Sequence, residues 1–137
     1  EAEAARVEVI AAKVRDIAAY LVDELGVQPA DKGAGNGRRR VTYHDPCHLR
    51  NSLKVTAQPR ALLDACDQLE RVEMGEADRC CGCGGSFMLK HGDLSREIGD
   101  RKRGNIVDSG AEVAATGCPA CMMQLGDMLT QAARLVR

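Results

Sequence analysis

The sequence predicts an α/β domain: a small parallel sheet flanked by helices, with cysteines converging at the carboxyl-terminal edge of the strands. Three short β-forming stretches alternate with helical periodicities over 137 residues. Strands separated by helices require crossover connections, and these give parallel pairing. Each of the three stretches also runs toward a cysteine, and ligands in open parallel sheets bind outside the carboxyl ends of the strands.

The elements follow in order. Val7, Ile10, Ala11, Val14, Ile17, Ala18, Leu21, Val22 and Leu25 keep an i, i+3, i+4, i+7 rhythm, so one amphipathic helix is expected up to Gly26. "ADKGAGNGRR" reads as a loop, and its glycines at 33, 35 and 37 fail the GxGxxG pattern because Arg38 stands where the last should be. "RVTYH" (40–44) is rich in β-formers and is stopped by Asp45-Pro46, which makes it a strand that delivers Cys47. "PRALLDAC" (59–66) suits a short helix and "LERVEM" (69–74) a second strand, followed by the cysteine loop "RCCGCGGSF". Asp93 is placed to cap a helix reaching about Val107, with Arg101 and Lys102 interrupting its apolar face. "AEVAATG" (111–117) is the third strand; it leads through Cys118 and Pro119 into a last helix carrying Cys121, Leu125, Met128, Leu129, Ala132 and Val136 on one side.

Composition narrows the function. The length suits one domain over residues 1–137, and 2% aromatic residues leave the core to Leu, Ile, Val, Ala and Met. A net charge of -1 argues against nucleic acid or an anionic membrane as partner. No stretch reaches the roughly 20 apolar residues of a membrane span, and none has the pattern of a secretory leader, so a cytoplasmic location is expected. The chain does not begin with methionine, which suggests a piece of a larger protein whose other parts act with it.

Seven cysteines without a secretion signal favour metal binding or redox chemistry over a disulfide framework. Zinc takes four ligands, commonly from two Cys-x-x-Cys pairs, and only Cys118-Pro-Ala-Cys121 has that spacing. Adjacent Cys80 and Cys81 chelate a single ion poorly because neighbouring side chains diverge. They suit a polynuclear iron-sulfur cluster, in which each thiolate takes its own iron, and Gly82, Gly84 and Gly85 let backbone N–H groups approach the sulfur. Cys118 stands at a helix N-cap before Pro119, where the helix end favours a thiolate. A strand-CPAC-helix unit also fits a thioredoxin-like dithiol, but that reading leaves Cys47, Cys80 and Cys81 without a role.

The whole pattern, Cys47, then 32 residues, Cys80-Cys81-Gly82, and 36 residues between Cys81 and Cys118-x-x-Cys121, resembles the cysteine-rich CCG domain. That family includes a component of heterodisulfide reductase and the iron-sulfur subunits of glycolate oxidase, lactate-utilisation enzymes and anaerobic glycerol-3-phosphate dehydrogenase. "YHDPCHLR", "ADRCCGCGGSF" and "ATGCPACMMQL" carry the resemblance, which covers about residues 5–135. It implies a 4Fe-4S cluster held by Cys47, Cys80, Cys81, Cys118 and Cys121, in heterodisulfide reductase of noncubane form. It also implies an electron-transfer domain of an oxidoreductase acting on a hydroxy acid such as lactate or glycolate. The partners would be the other domains or subunits, a flavoprotein among them. Relatives usually carry two such domains, and this sequence resembles the carboxyl-terminal one. The alternatives are a heterodisulfide reductase-type catalytic cluster and a zinc-binding structural domain, zinc also being what an isolated or air-exposed domain would capture.

The remaining candidates have plainer explanations. Cys83 stands where relatives carry a small residue and is taken as a small apolar substitute, and Cys66 as a core thiol beside Leu62 and Leu63. His44 and His48 flank Cys47 and are assigned to orientation or packing ahead of ligation. His91 lies in a polar loop with no role. Met122, Met123 and Met128 read as helix packing, and Arg101-Lys102-Arg103 as a solvated face.

Overall fold

The computed structural model describes residues 2–28 and 37–135, so most of the glycine loop lies outside the described residues. Its elements are α1 (Ala2–Ala11), α2 (Ile17–Ala19) continuing into a π-helical turn (Tyr20–Glu24), β1 (Arg39–His44), a second π-helical turn (Leu49–Leu53), α3 (Ala57–Ala65), β2 (Leu69–Arg71), α4 (Phe87–Lys90), α5 (Gly92–Asp108), β3 (Val113–Thr116) and α6 (Pro119–Leu135). The three strands form one sheet in the order β2-β1-β3, and both pairings are parallel. Val41 lies opposite Arg71 on one side and Val113 on the other, and His44 opposite Thr116. The expected α/β class and parallel sheet are present.

The central strand explains how the core divides. Val41, Thr42, Tyr43 and His44 are all buried, because a middle strand covered on both faces needs no polar side. Side chains alternate, so Tyr43 and its neighbour Ala115 face one way, bordering a hollow with Ile17, Ala18, Leu62 and Leu63 of α2 and α3. Thr42, His44 and Ala114 face the other way. Ala114 there packs against a buried cluster of Met74, Ala77, Cys81, Cys83, Ile106, Cys121 and Leu125. Thiols therefore form part of the hydrophobic core.

The first helix departs from expectation. Instead of one helix to Leu25, the chain breaks after Ala11, and Asp16 starts a second helix by accepting the N–H groups of Ala18 and Ala19 at 2.8 and 3.2 Å. Asp side chains compete with the backbone in this way, and a good N-cap inside an apolar rhythm divides it. Ala18, beyond the break, is buried, while Val7, Val9, Ile10 and Val14 before it are exposed.

Two further expectations change in α5. Asp93 lies in the first turn rather than at the cap, which is His91, and pairs across solvent with Arg96 at 3.5 Å. Lys102 is not on a solvated face: it is 1% exposed. Ser95, Gly99, Lys102 and Ile106 fall at i, i+4, i+7 and i+11, one inward stripe, whereas Arg101 stays in solvent about 100° away. At Gly99 the helix meets α6 so closely that an added Cβ would lie 2.0 Å from Met128 Sδ. Met128 is the buried methionine of α6; Met122 and Met123 are exposed and do not pack as expected. Ala132 and Val136 fall outside the described side chains.

The exit of β1 is held by a charged clamp. Arg60 of α3 donates to both carboxylate oxygens of Asp45 at 2.7 and 2.9 Å, to Glu73 at 2.6 Å, and to the Thr56 carbonyl at 2.8 Å, and its guanidinium lies 5.4 Å from the Tyr43 ring centroid. The hydrogen bonds to Asp45 and Glu73 push its pKa still higher, so it stays charged. Asp45 is buried and its own N–H donates to the Ala77 carbonyl at 3.0 Å, which ties the strand end to the loop before Cys80. Arg60→Ala leaves a buried carboxylate without its cation, and we expect a loss of about 3 kcal/mol in urea unfolding. Arg50→Ala, which removes an exposed pair with Asp78, should change stability by less than about 1 kcal/mol.

Candidate metal centre

Three segments deliver the cysteines. The first is the end of β1, where Asp45-Pro46 turns the chain into a helical turn beginning at Cys47. The second is the loop after β2. Glu76 within it has φ 51°, a left-handed conformation uncommon outside glycine. Three side chains of α5 hold it there: Arg101 pairs with its carboxylate, Asn105 donates to the same group at 3.1 Å, and Lys102 Nζ donates to its carbonyl. The hydrogen bonds from Arg101 and Asn105 hold the Glu76 carboxyl below its usual pKa. Lys102 gives up an ordinary lysine pKa chiefly to burial. The third segment is the β3–α6 junction. Cys118 precedes the first helical residue, Pro119, and its carbonyl accepts the N–H of Met122 at 2.9 Å, the first bond of the helix.

These segments meet at a cavity of about 210 Å³ bordered by Cys47, Cys80, Cys81, Cys118 and Cys121, together with Cys83, His44, His48, Gly84 and Gly85. All five cysteines singled out from the sequence are therefore brought to one place, and no disulfide joins them. Cys80 is exposed and Cys81 buried, as neighbouring side chains that diverge should be. Cys66 caps the end of α3, away from this wall.

The deepest part of the site is a trio. One ring nitrogen of His44 and the Sγ atoms of Cys81 and Cys121 all lie within 4.8 Å of one another, and all three residues are buried. Cys81 and Cys121 shift each other in opposite directions. The neighbouring Cys121 side chain, with the His44 imidazole beside it, pulls the Cys81 thiol well below its usual pKa despite burial. The same closeness to Cys81, and burial, push Cys121 up. A metal ion taking both sulfurs must displace the protons they hold.

Glycine supplies the remaining geometry. Gly82 has φ 92°, and a Cβ there would stand 2.3 Å from the Ser95 carbonyl oxygen of α5. Its N–H donates to Cys80 Sγ at 3.3 Å and its carbonyl accepts the Ser95 hydroxyl at 2.7 Å. Backbone donation to sulfur is therefore present at the paired cysteines.

Sequence reasoning underrated two residues. Cys83 is buried and borders the cavity, with Sγ 3.7 Å from Met88 Sδ, so it is a sixth thiol at the site as well as a small apolar residue. His44 is fully buried with neither ring nitrogen hydrogen-bonded. The signal for both was their position within a residue or three of a predicted ligand; the face each takes is not legible from spacing.

Fold and site together define a small α/β domain built to hold a soft-metal centre on sulfur ligands. The family model described as a cysteine-rich domain, CCG, matches residues 41–126, and the chain belongs to that family. It is 35% identical to lactate utilization protein A of Geobacillus kaustophilus over 137 residues, covering 100% of this chain and 55% of that protein. It is 41% identical over 91 residues to an uncharacterized iron-sulfur protein of Methanococcus maripaludis, covering 66% of this chain and 18% of the relative. Similarity to one subunit of the fumarate reductase (CoM/CoB) of Methanothermobacter marburgensis is 33% identity over 85% of this chain and 23% of the relative. The chain thus spans about half the length of the lactate utilization protein and about a fifth of the other two.

Proposed function

We propose that this chain is a cluster-binding electron-transfer domain of a larger oxidoreductase, holding a 4Fe-4S centre, cubane or noncubane, through Cys47, Cys80, Cys81, Cys118 and Cys121. The observation that carries this reading is the convergence of those cysteines on one cavity from three separate segments. The donor set fits such a group: thiolates select iron-sulfur clusters, zinc and Cu(I), and three of the six bordering cysteines, Cys81, Cys83 and Cys121, are buried. Zinc is the weaker fit, because a tetrahedral site uses four ligands and would leave two of six bordering thiols idle. The bound cluster supplies one-electron chemistry. The chain's own part is to gather the thiols, bury Cys81 and Cys121, and aim the Gly82 N–H at Cys80 sulfur.

The relatives support a biological setting. Full coverage by a lactate utilization protein supports a hydroxy acid such as lactate or glycolate as the substrate of the whole assembly; a flavoprotein partner, implied by the family resemblance alone, would collect the electrons first. This chain would then be one domain of a longer cytoplasmic protein, relaying electrons instead of cleaving disulfides. No helix among the described residues is long and apolar enough to cross a membrane.

Anaerobic purification followed by metal and acid-labile sulfide analysis tests the reading. About four iron and four sulfide per chain are expected. Zinc without sulfide would overturn it.

A further inference from the structure

His44 is a buried residue whose ring nitrogens make no hydrogen bond of normal geometry. It ends β1 opposite Thr116, on the sheet face shared with Thr42 and Ala114, and is 1% exposed. Neither Nδ1 nor Nε2 has a hydrogen-bond partner. A neutral imidazole carries one N–H donor and one acceptor nitrogen, and leaving a buried donor unmet costs about 1–3 kcal/mol. Among the described residues, Thr42 Oγ1, Thr116 Oγ1 and Arg50 Nε share this lack, but only His44 borders the thiol cavity. Its ring reaches within 4.8 Å of the sulfurs of Cys81 and Cys121.

We propose that His44 is a positioning residue that donates its N–H to sulfur of the bound cluster on the Cys81 side and so raises the reduction potential of the centre. The proposal rests on the iron-sulfur reading above. Donation is favoured over ligation because five thiolates already exceed the four irons of a 4Fe-4S centre, so no iron waits for nitrogen. A sulfur acceptor gives the buried N–H the partner it lacks. Reduction adds negative charge that spreads over the sulfurs, so a fixed donor there stabilises the reduced state more than the oxidised one.

The test uses the full chain assembled anaerobically with iron and sulfide, as wild type, as His44→Leu, which removes the donor, and as His44→Asn, which retains a shorter one. Iron and sulfide content, EPR-monitored potential and pulsed EPR with 15N-histidine are read for each. Content should be equal in all three. The midpoint potential of His44→Leu should fall by at least about 59 mV, a tenfold change in a one-electron equilibrium, with His44→Asn between it and wild type. Wild type should show a weak 15N coupling that is lost in His44→Asn. An unchanged potential in His44→Leu, no coupling lost in His44→Asn, or a strong coupling diagnostic of direct nitrogen ligation would each overturn the proposal. The coupling in wild type is informative even if His44→Leu folds poorly. Absence of iron and sulfide from wild type would instead defeat the cluster reading itself, so the two failures are distinguishable.

Discussion

Cys80→Ser and Cys81→Ser should each lose at least about tenfold in retained iron after anaerobic assembly, while Cys66→Ser should retain as much as wild type. The contrast is informative because burial differs within the set. Cys80 is exposed, so replacing its sulfur by oxygen costs the fold almost nothing, and any loss of iron reports ligation. Cys81 is 1% exposed and packs in the buried cluster with Cys121, so its replacement also removes packing from the core. Circular dichroism on the metal-free forms separates the two effects: Cys80→Ser should melt like wild type, Cys81→Ser earlier. Cys66 sits at the end of α3 outside the cavity wall and has no share in it. Native cluster absorbance in either Cys80→Ser or Cys81→Ser would remove that residue from the ligand set.

Gly82→Ala should be nearly as damaging although it removes no ligand. The residue sits at φ 92°, which costs a side chain about 1–3 kcal/mol, and its new Cβ would collide with a backbone oxygen at 2.3 Å, which cannot rotate away. Relief requires either the loop or α5 to move, and a total near 4 kcal/mol is of the order such combined strain and overpacking produce. Moving the loop also withdraws the N–H that donates to Cys80 Sγ. We therefore expect lower thermal stability and loss of the cluster together. Gly104→Ala on the same region of α5, where an added Cβ meets nothing within 4 Å, should leave both intact. A Gly82→Ala variant with wild-type melting and iron content would show that the close approach to Ser95 is not maintained in solution.

These two substitutions mark the boundary of what spacing alone can teach. The paired cysteines were legible because adjacent side chains diverge, and the fold puts Cys80 outside and Cys81 inside. The third letter of the Cys-Cys-Gly run was legible as a small residue, but the Ser95 carbonyl that enforces it lies 13 positions away on another element. Helix α1 was over-extended because an apolar rhythm of 3.6 residues says nothing about a side chain that caps within it, as Asp16 does. Lys102 was placed in solvent because a basic run looks uniform in one dimension, although a helix turns each of its members to a different neighbour.

Local and periodic features can be read from the residues in order: which stretches form strands, that helices separate them, and that Cys47, the Cys80-Cys81 pair and Cys118 each follow a strand toward the same edge of a parallel sheet. Side-chain alternation and helical rise are set by neighbours along the chain, so a single chain suffices to read them. Packing in three dimensions was needed to learn that Cys83 faces the cavity, that His44 is buried there without a partner, and that three side chains of α5 hold Glu76 in its left-handed turn. Those outcomes depend on which surfaces meet when the sheet closes against α5 and α6, and contact between residues distant in sequence leaves no mark on local spacing.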